Sequence, residues 1–474
     1  MIKHLFAFLF SVSTLSLINA QGYKIDFVVE GLPDTTLLLG NFFGESTYVK
    51  DTAVSDSKGN FTFQGDKELE QGVYFLVLNK VRLLDILIGE DQQFEIKTQH
   101  SDYLQNMEVS GDVDNTLFLE YRKFNLAQSA KAKPLLEILR DSTATEKQKT
   151  EAKATFQNMG DEVESEINRI ITSNPETVTS KLLAANRKIE IPQAPDSAEE
   201  SWRYKYFLAH FWDDFDLGDP TMLRMPTPIY DNKVDEYFDK LIVPSPDSVI
   251  NAIDRLASVA KSSTETYRYL IWKLTIKYQE VKLMGFDKVF VHIYDKYYAT
   301  GDMDFWANDQ LKKNIKEEAD KFRNSLLGMV AHNMIMLDDN LQRQALHDIK
   351  SKYTIVYFYD PDCGHCKKET PELKKFFDST SFDVGVFTVS ADTSISKMKT
   401  YIANMEMESW INVNGPRTYT GNYQNKYDAF TTPTLYLLNE RKEIIAKKIK
   451  SAQLEEFLKG YEQSKSLGTA DLEK

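Results

Sequence analysis

The sequence predicts a multidomain chain with an N-terminal β-sandwich, a central all-α domain and a C-terminal α/β domain. Three observations carry this prediction. The chain has 474 residues, too many for one core of ordinary size. Its hydrophobic pattern shifts twice, from strand-like to helical near residue 115 and to alternating strands and helices near residue 329. Hydrophobic residues make up 42% and aromatic residues 12%, enough to fill several cores and too many for a disordered chain.

The expected division is a leader at 1–20, the β-sandwich at 21–113, the helical domain at 114–328, the α/β domain at 329–464 and a polar tail at 465–474. In the leader, Lys3 supplies a positive start, Leu5 to Ile18 is mostly apolar, and Ile18-Asn19-Ala20 resembles a cleavage site. That pattern is the signature of a secretory signal peptide, too short to span a bilayer comfortably. No later run is apolar enough for a membrane span, so the mature chain is expected to be soluble.

Between Gly22 and Gly111 the runs Tyr23–Val29, Thr36–Gly40, Phe61–Phe63, Val73–Leu78 and Phe94–Ile96 read as short strands. Asp56-Ser57-Lys58-Gly59-Asn60 reads as a turn. From Asn115 to Leu327 the period is helical. Leu117, Leu119, Tyr121, Phe124 and Leu126 open it. Phe156, Met159, Val163, Ile167 and Ile170 form one face of a Lys/Glu-rich stretch, and Trp202–Phe207 and Tyr267–Trp272 are aromatic-rich. In the last region Tyr353–Tyr359 and Val384–Val389 read as buried strands and Leu435–Leu438 as a third. A helix with Leu373, Phe376 and Phe377 inward, one at Ile395–Met405 and one at Leu454–Tyr461 alternate with them. This is the order of an α/β layer sandwich.

The net charge of −14, spread along the chain, argues against a nucleic-acid partner, which would need a basic patch. The acidic loop Asp213, Asp214, Asp216, Asp219 lacks the ligand order of a calcium loop and reads as a helix end.

Only two cysteines occur, Cys363 and Cys366, separated by Gly364 and His365. A bridge across two residues restrains the unfolded chain very little, so the pair makes a poor staple and a good redox couple. Structural zinc would need about four ligands, and no second cysteine pair exists. No metal or other cofactor is called for. The pair lies where a buried strand turns into a helix, and unpaired N–H groups there favour a thiolate. Cys363 is assigned as the attacking thiolate and Cys366 as the resolving thiol. His365 adds positive character, while Asp362 beside the pair pulls the other way. Gly364 is expected to allow a tight turn and leave room for a substrate chain.

Residues 329–461 resemble the TlpA/ResA-like branch of the thioredoxin superfamily, the envelope thiol–disulfide oxidoreductases. The block Tyr357-Phe358-Tyr359-Asp360-Pro361-Asp362-Cys363-Gly364-His365-Cys366-Lys367-Lys368-Glu369-Thr370-Pro371 is similar to their Cys-x-x-Cys signature. Met334–Asn340 resembles their front hairpin, and Thr431-Thr432-Pro433-Thr434-Leu435 their proline block. The resemblance implies a C-terminal thioredoxin fold. It also implies that Glu369 exchanges a proton with a thiol and that Pro433 is a cis proline facing the cysteines. Thr432 would then offer its backbone to the substrate, and Pro371 would kink the helix. Two positions depart from the pattern: Asp362 stands where the family has Trp, and Tyr357 where thioredoxin has a buried carboxylate. The first 330 residues resemble, more loosely, two uncharacterised domains that precede such domains in Gram-negative envelope proteins. The stretches carrying this are Asp51-Thr52-Ala53, Lys58-Gly59-Asn60-Phe61 and His210–Leu217.

The expected function is therefore disulfide exchange with protein substrates in the periplasm or cell envelope, with a redox partner that recycles the pair. Reductase, isomerase and oxidase directions stay open. The alternative is an envelope scaffold that uses the same domain for recognition.

Overall fold

The computed structural model describes residues 22–470; the expected leader and the last four residues of the expected tail lie outside it. The chain divides into two compact units, Met1–Leu241 with Ser258–Tyr267, and Ile242–Ala257 with Arg268–Lys474.

The first unit opens with eight strands: β1 Lys24–Glu30, β2 Thr36–Phe43, β3 Ser46–Val54, β4 Asn60–Gln64, β5 Gly72–Leu78, β6 Val81–Ile88, β7 Gln93–Gln99 and β8 Glu108–Ser110. They form two four-stranded sheets, ordered β4-β1-β7-β8 and β3-β2-β5-β6. Alternate side chains of both sheets meet in one core, with Ile25, Phe27, Phe63 and Ile96 from one and Leu37, Leu39, Tyr74 and Ile86 from the other. This is the expected sandwich. The turn before β4 needs Gly59: its φ is +84°, and a Cβ there would lie 2.0 Å from the Val29 carbonyl oxygen. β3 carries no strand signal in the sequence because it is an edge strand, exposed over most of its length and without apolar alternation.

Helices α1 Val113–Arg140, α2 Glu146–Ser173, α3 Val178–Ala185, α4 Trp202–Ala209 and α5 Ile229–Glu236 follow. Asp112 caps α1 by accepting the Asn115 N–H, and Thr145 with Gln148 forms a capping box on α2. The expected inward face of α2 is only partly covered: Ile170 is buried, whereas Phe156 is exposed.

The second unit takes in most of α6 Pro246–Ala260 and α7 Thr264–Gln279, then α8 Asp287–Ile293 and α9 Asp309–Arg323. After them come β9 Ile335–Asp338, β10 Arg343–Ala345, β11 Tyr353–Tyr359, α10 Cys366–Ser379, β12 Val384–Ser390, α11 Ile395–Asn404, β13 Ile411–Thr418, α12 Tyr423–Tyr427, β14 Thr434–Leu438, β15 Ile444–Lys447 and α13 Leu454–Ala470. The seven strands form one mixed sheet, ordered β10-β9-β13-β12-β11-β14-β15. Every residue of interior β11 is buried. Its odd-numbered residues Tyr353, Ile355, Tyr357 and Tyr359 enter the core that α10, α11 and α13 cover. Val356 and Phe358 enter the core on the other face, with Tyr423 and Tyr427. The hairpin expected at 334–340 is β9–β10. α13 runs on to Ala470, into the segment expected to be a tail. Strand β13 (Ile-Asn-Val-Asn-Gly-Pro-Arg-Thr) lacks strand composition. Its buried Asn412 instead bonds the carbonyls of Met407 and Trp410, at 2.8 and 3.0 Å, and accepts the Thr388 hydroxyl at 2.7 Å.

One buried ion pair joins the helical part of this unit to its sheet. Lys447 on β15 reaches Asp287 at the start of α8 and also donates to the Ser325 carbonyl at 2.9 Å. The two side chains are 4% and 1% exposed.

Candidate functional site

The cysteines sit just past the C-terminal end of β11, an interior strand of the seven-stranded sheet flanked by β12 and β14, where ligand sites of α/β folds gather. Asp360 begins the connecting turn. Its carboxylate accepts the Asp362 N–H at 2.8 Å and its carbonyl accepts the Cys363 N–H at 3.1 Å. His365 occupies the N-cap position of α10 without a side-chain capping bond, and Cys366 is the first helical residue. Cys363 is half-buried and Cys366 fully buried, both as free thiols.

This local geometry distinguishes the two sulfurs. The Cys366 N–H, one of the donors a helix start leaves unpaired, points to the Cys363 Sγ at 3.3 Å. Burial works against a Cys363 thiolate. Bonds from the Cys366 thiol and N–H, the Thr432 side chain and the His365 backbone outweigh it and hold Cys363 below the ordinary thiol pKa. Cys366 goes the opposite way: burial, its bond to Cys363 and the neighbouring charge push it up to about 12.

Behind Cys366 the core is lined with hydroxyls. Thr370, one helical turn on and fully buried, sits 2.9 Å from the Tyr357 hydroxyl and 2.8 Å from that of Tyr401. Tyr359 stacks on Tyr401 with ring centroids 4.8 Å apart. Burial raises the pKa of both Tyr357 and Tyr401, the latter to about 12, so both remain neutral hydroxyls. The position of thioredoxin's buried carboxylate is thus held by a neutral tyrosine at one end of a buried hydroxyl chain. Thr370 and Tyr401 were not recognisable in the sequence as part of the site. The available signal was the spacing of Thr370 from Cys366, which puts both on one helix face.

The other expected residues fall around the pair. The Thr432–Pro433 peptide is cis, and the Thr432 carbonyl oxygen lies 3.4 Å from the Cys363 Sγ. Glu369 is half-buried; its Oε1 accepts the Ser451 N–H at 2.6 Å, which ties α10 to the turn before α13. His365, Glu369 and Pro433 line one cleft of about 520 Å³. Asp362 is exposed and paired with Lys397 at 2.6 Å, which also holds Asp392 at 3.2 Å. Gly364 does not have a left-handed φ, so the turn does not require glycine; the space around its Cα is nonetheless open. Pro371 lies inside α10, which continues through it.

The acidic loop is engaged within the protein. Asp213 meets His210, Asp214 meets Arg187, Asp216 accepts the Gly218 N–H, and Asp219 pairs with Lys181.

Comparison with known proteins divides the chain in three. Residues 23–118 match a domain of unknown function (DUF4369), residues 142–321 another (DUF5106), and residues 351–444 the thioredoxin-like family. Sporulation thiol-disulfide oxidoreductase A of Bacillus subtilis (strain 168) is 30% identical over 104 residues, which is 21% of this chain and 61% of that protein; the chain thus spans less than two thirds of this relative. Among solved structures, a domain of a possible thiol-disulfide isomerase from Cytophaga hutchinsonii is 34% identical, with 30% of this chain and 97% of that one covered and a TM-score of 0.29. A thioredoxin-like protein from Bacteroides caccae is 17% identical over 57% of this chain and 98% of its own, with a TM-score of 0.44.

Proposed function

We propose that this chain, whose residues 351–444 form a thioredoxin-like domain of the thiol–disulfide oxidoreductase class, exchanges disulfides with exported protein substrates through Cys363 and Cys366. The observation that carries this reading is the asymmetry of the pair. One sulfur is partly exposed, receives a helix N-terminal N–H and is biased toward thiolate. The other is buried and biased toward thiol.

In the reducing direction the Cys363 thiolate attacks one sulfur of a substrate disulfide. A Cys363–substrate bond forms, and the other substrate sulfur leaves as a thiolate that takes a proton from solvent. Cys366 then loses its proton and attacks the Cys363 sulfur. The Cys363–Cys366 bond forms and the second substrate thiolate leaves. Two electrons have passed from the dithiol to the substrate, and a dithiol partner restores the pair. With the opposite starting states the same steps oxidise a substrate dithiol. Glu369 is the carboxylate for the Cys366 proton: Oε1 is occupied by Ser451, which orients the group and leaves Oε2 for exchange. The Thr432 backbone, in the bend before β14 and next to the Cys363 sulfur, is where a substrate segment pairs. The leader at 1–20 supports a periplasmic or cell-envelope location in a Gram-negative bacterium. The domains at 21–113 and 114–328 would select or position the substrate.

The test is trapping with Cys366→Ala in cell envelopes together with reduction of a test disulfide by the purified wild type. Mixed disulfides that depend on Cys363, and turnover that needs both cysteines, are the expected results. With neither adduct nor turnover, the scaffold reading takes its place.

A further inference from the structure

Charge is distributed unequally on the two flanks of Cys363. The cleft of about 520 Å³ on one flank carries Lys368, Lys448 and Lys450 beside His365 and Pro433. Lys448 is paired with Asp428 at 2.5 Å, and the Glu369 carboxylate, whose Oε1 accepts the Ser451 N–H, offsets one further ammonium, so the cleft keeps a net positive charge. Lys368 and Lys450 are exposed, and neither is paired with a carboxylate among the described residues. On the other flank Asp360, Asp362 and Asp392 bring carboxylate oxygens within 4.8 Å of one another, with Lys397 as the cation that bridges Asp362 and Asp392. Sheet order separates the two groups. Asp392 follows β12, whereas Pro433 precedes β14 and Lys448 and Lys450 follow β15; β12 and β14 are the neighbours of β11 on opposite sides.

A substrate segment lying across Cys363 therefore meets ammonium groups on one side and surplus carboxylate on the other. Opposite charge attracts and like charge repels across such a site, so the arrangement discriminates by register as well as by affinity. We propose, on the basis of the disulfide-exchange reading above, that this site selects protein disulfides flanked by an acidic side chain that enters the Lys368–Lys450 cleft. A basic side chain at that same position is disfavoured. The groups are solvent-exposed, so the selection is modest, roughly fivefold between Glu and Lys, and salt-sensitive over a Debye length of about 10 Å at 0.1 M. The net charge of −14 acts on every acidic peptide wherever its charge lies, so dependence on position isolates the cleft.

The probe is a set of homodimeric disulfides of a seven-residue peptide with a central cysteine and Glu, Ala or Lys at each of the two positions on either side. Pre-reduced full-length protein is mixed with each, and release of free peptide is followed by chromatography in a single turnover. At one position the Glu peptide should react about fivefold faster than the Lys peptide. Lys368→Glu with Lys450→Glu should reverse that ratio, and 0.5 M salt should bring it below twofold. Lys368→Gln with Lys450→Gln, a gentler change, should bring the ratio to near one without reversal. Ratios within twofold at every position, or a preference unmoved in both double variants, would overturn the proposal. Failure to reduce even the Ala peptide would overturn the disulfide-exchange reading itself, and this inference with it.

Discussion

Alkylation of the reduced protein is a direct measure of how differently the fold treats its two thiols. The perturbation is limiting iodoacetamide at pH 8, with the modified cysteine identified by mass spectrometry of the digest. A thiol held at about 12 is ionised to roughly one part in 10⁴ at that pH. An ordinary thiol near 8.5 is about a quarter ionised, which serves as the reference for Cys363, whose pKa is lowered by its hydrogen bonds. Ionisation alone thus favours Cys363 by more than about 10³. The more basic thiolate is the better nucleophile, however, and with a Brønsted slope near 0.4–0.5 this returns a factor of roughly 40 over a gap of about 3.5 units. The net expectation is a preference of about 50-fold or more for Cys363. Its more open position adds to this, because Cys366 has no exposed surface. The pH profile of Cys363 alkylation should reach half its maximum at a lower pH than that of an unperturbed thiol, since a lowered pKa moves the thiolate plateau to lower pH. A preference below about fivefold, or first labelling at Cys366, would refute the account of the site.

Three further outcomes follow from the same structure. Lys397→Ala should free the Asp362 carboxylate to oppose the thiolate and move the Cys363 alkylation profile to higher pH by a few tenths of a unit, given how exposed the pair is; an unmoved profile would remove Asp362 from the tuning groups. Thr370→Val should leave the Tyr357 hydroxyl buried without its partner and cost about 1–3 kcal/mol, read as a lower urea midpoint for the unit that contains the site. Lys447→Met should cost about 3–5 kcal/mol by leaving the Asp287 carboxylate buried and unpaired, and Lys447→Met with Asp287→Leu should recover most of that in the same urea titration.

Much of the C-terminal domain is legible because its signals are local. The run Tyr353–Tyr359 needs no partner to read as a buried strand, because each of its residues is apolar, aromatic or β-branched. Cys363 and Cys366 announce their chemistry by spacing, and the helix start that favours a thiolate is implied by the strand-to-helix change around them. Strand β13 is not legible, because its buried asparagines are satisfied by partners brought in by the fold: Asn412 accepts the Thr388 hydroxyl and Asn414 donates to the Asp392 carbonyl. The exposed edge strand β3 is missed for the opposite reason: with little to bury, it carries no apolar period.

The sequence alone determined the pair of sulfurs, the proline block and the order of elements, since each rests on residue type and near-neighbour spacing. Only the tertiary structure decided which charges reach the site. Asp362 is adjacent to Cys363 in sequence, yet Lys397, 35 residues away, holds its carboxylate. Lys450 is 87 residues from Cys363 and lines the cleft beside it. Thr370 and Tyr401, from two different helices, form the hydroxyl chain with Tyr357. The physical reason is that electrostatic and hydrogen-bond energies depend on distance through space, and the folding of β12, β14 and β15 around β11 sets those distances.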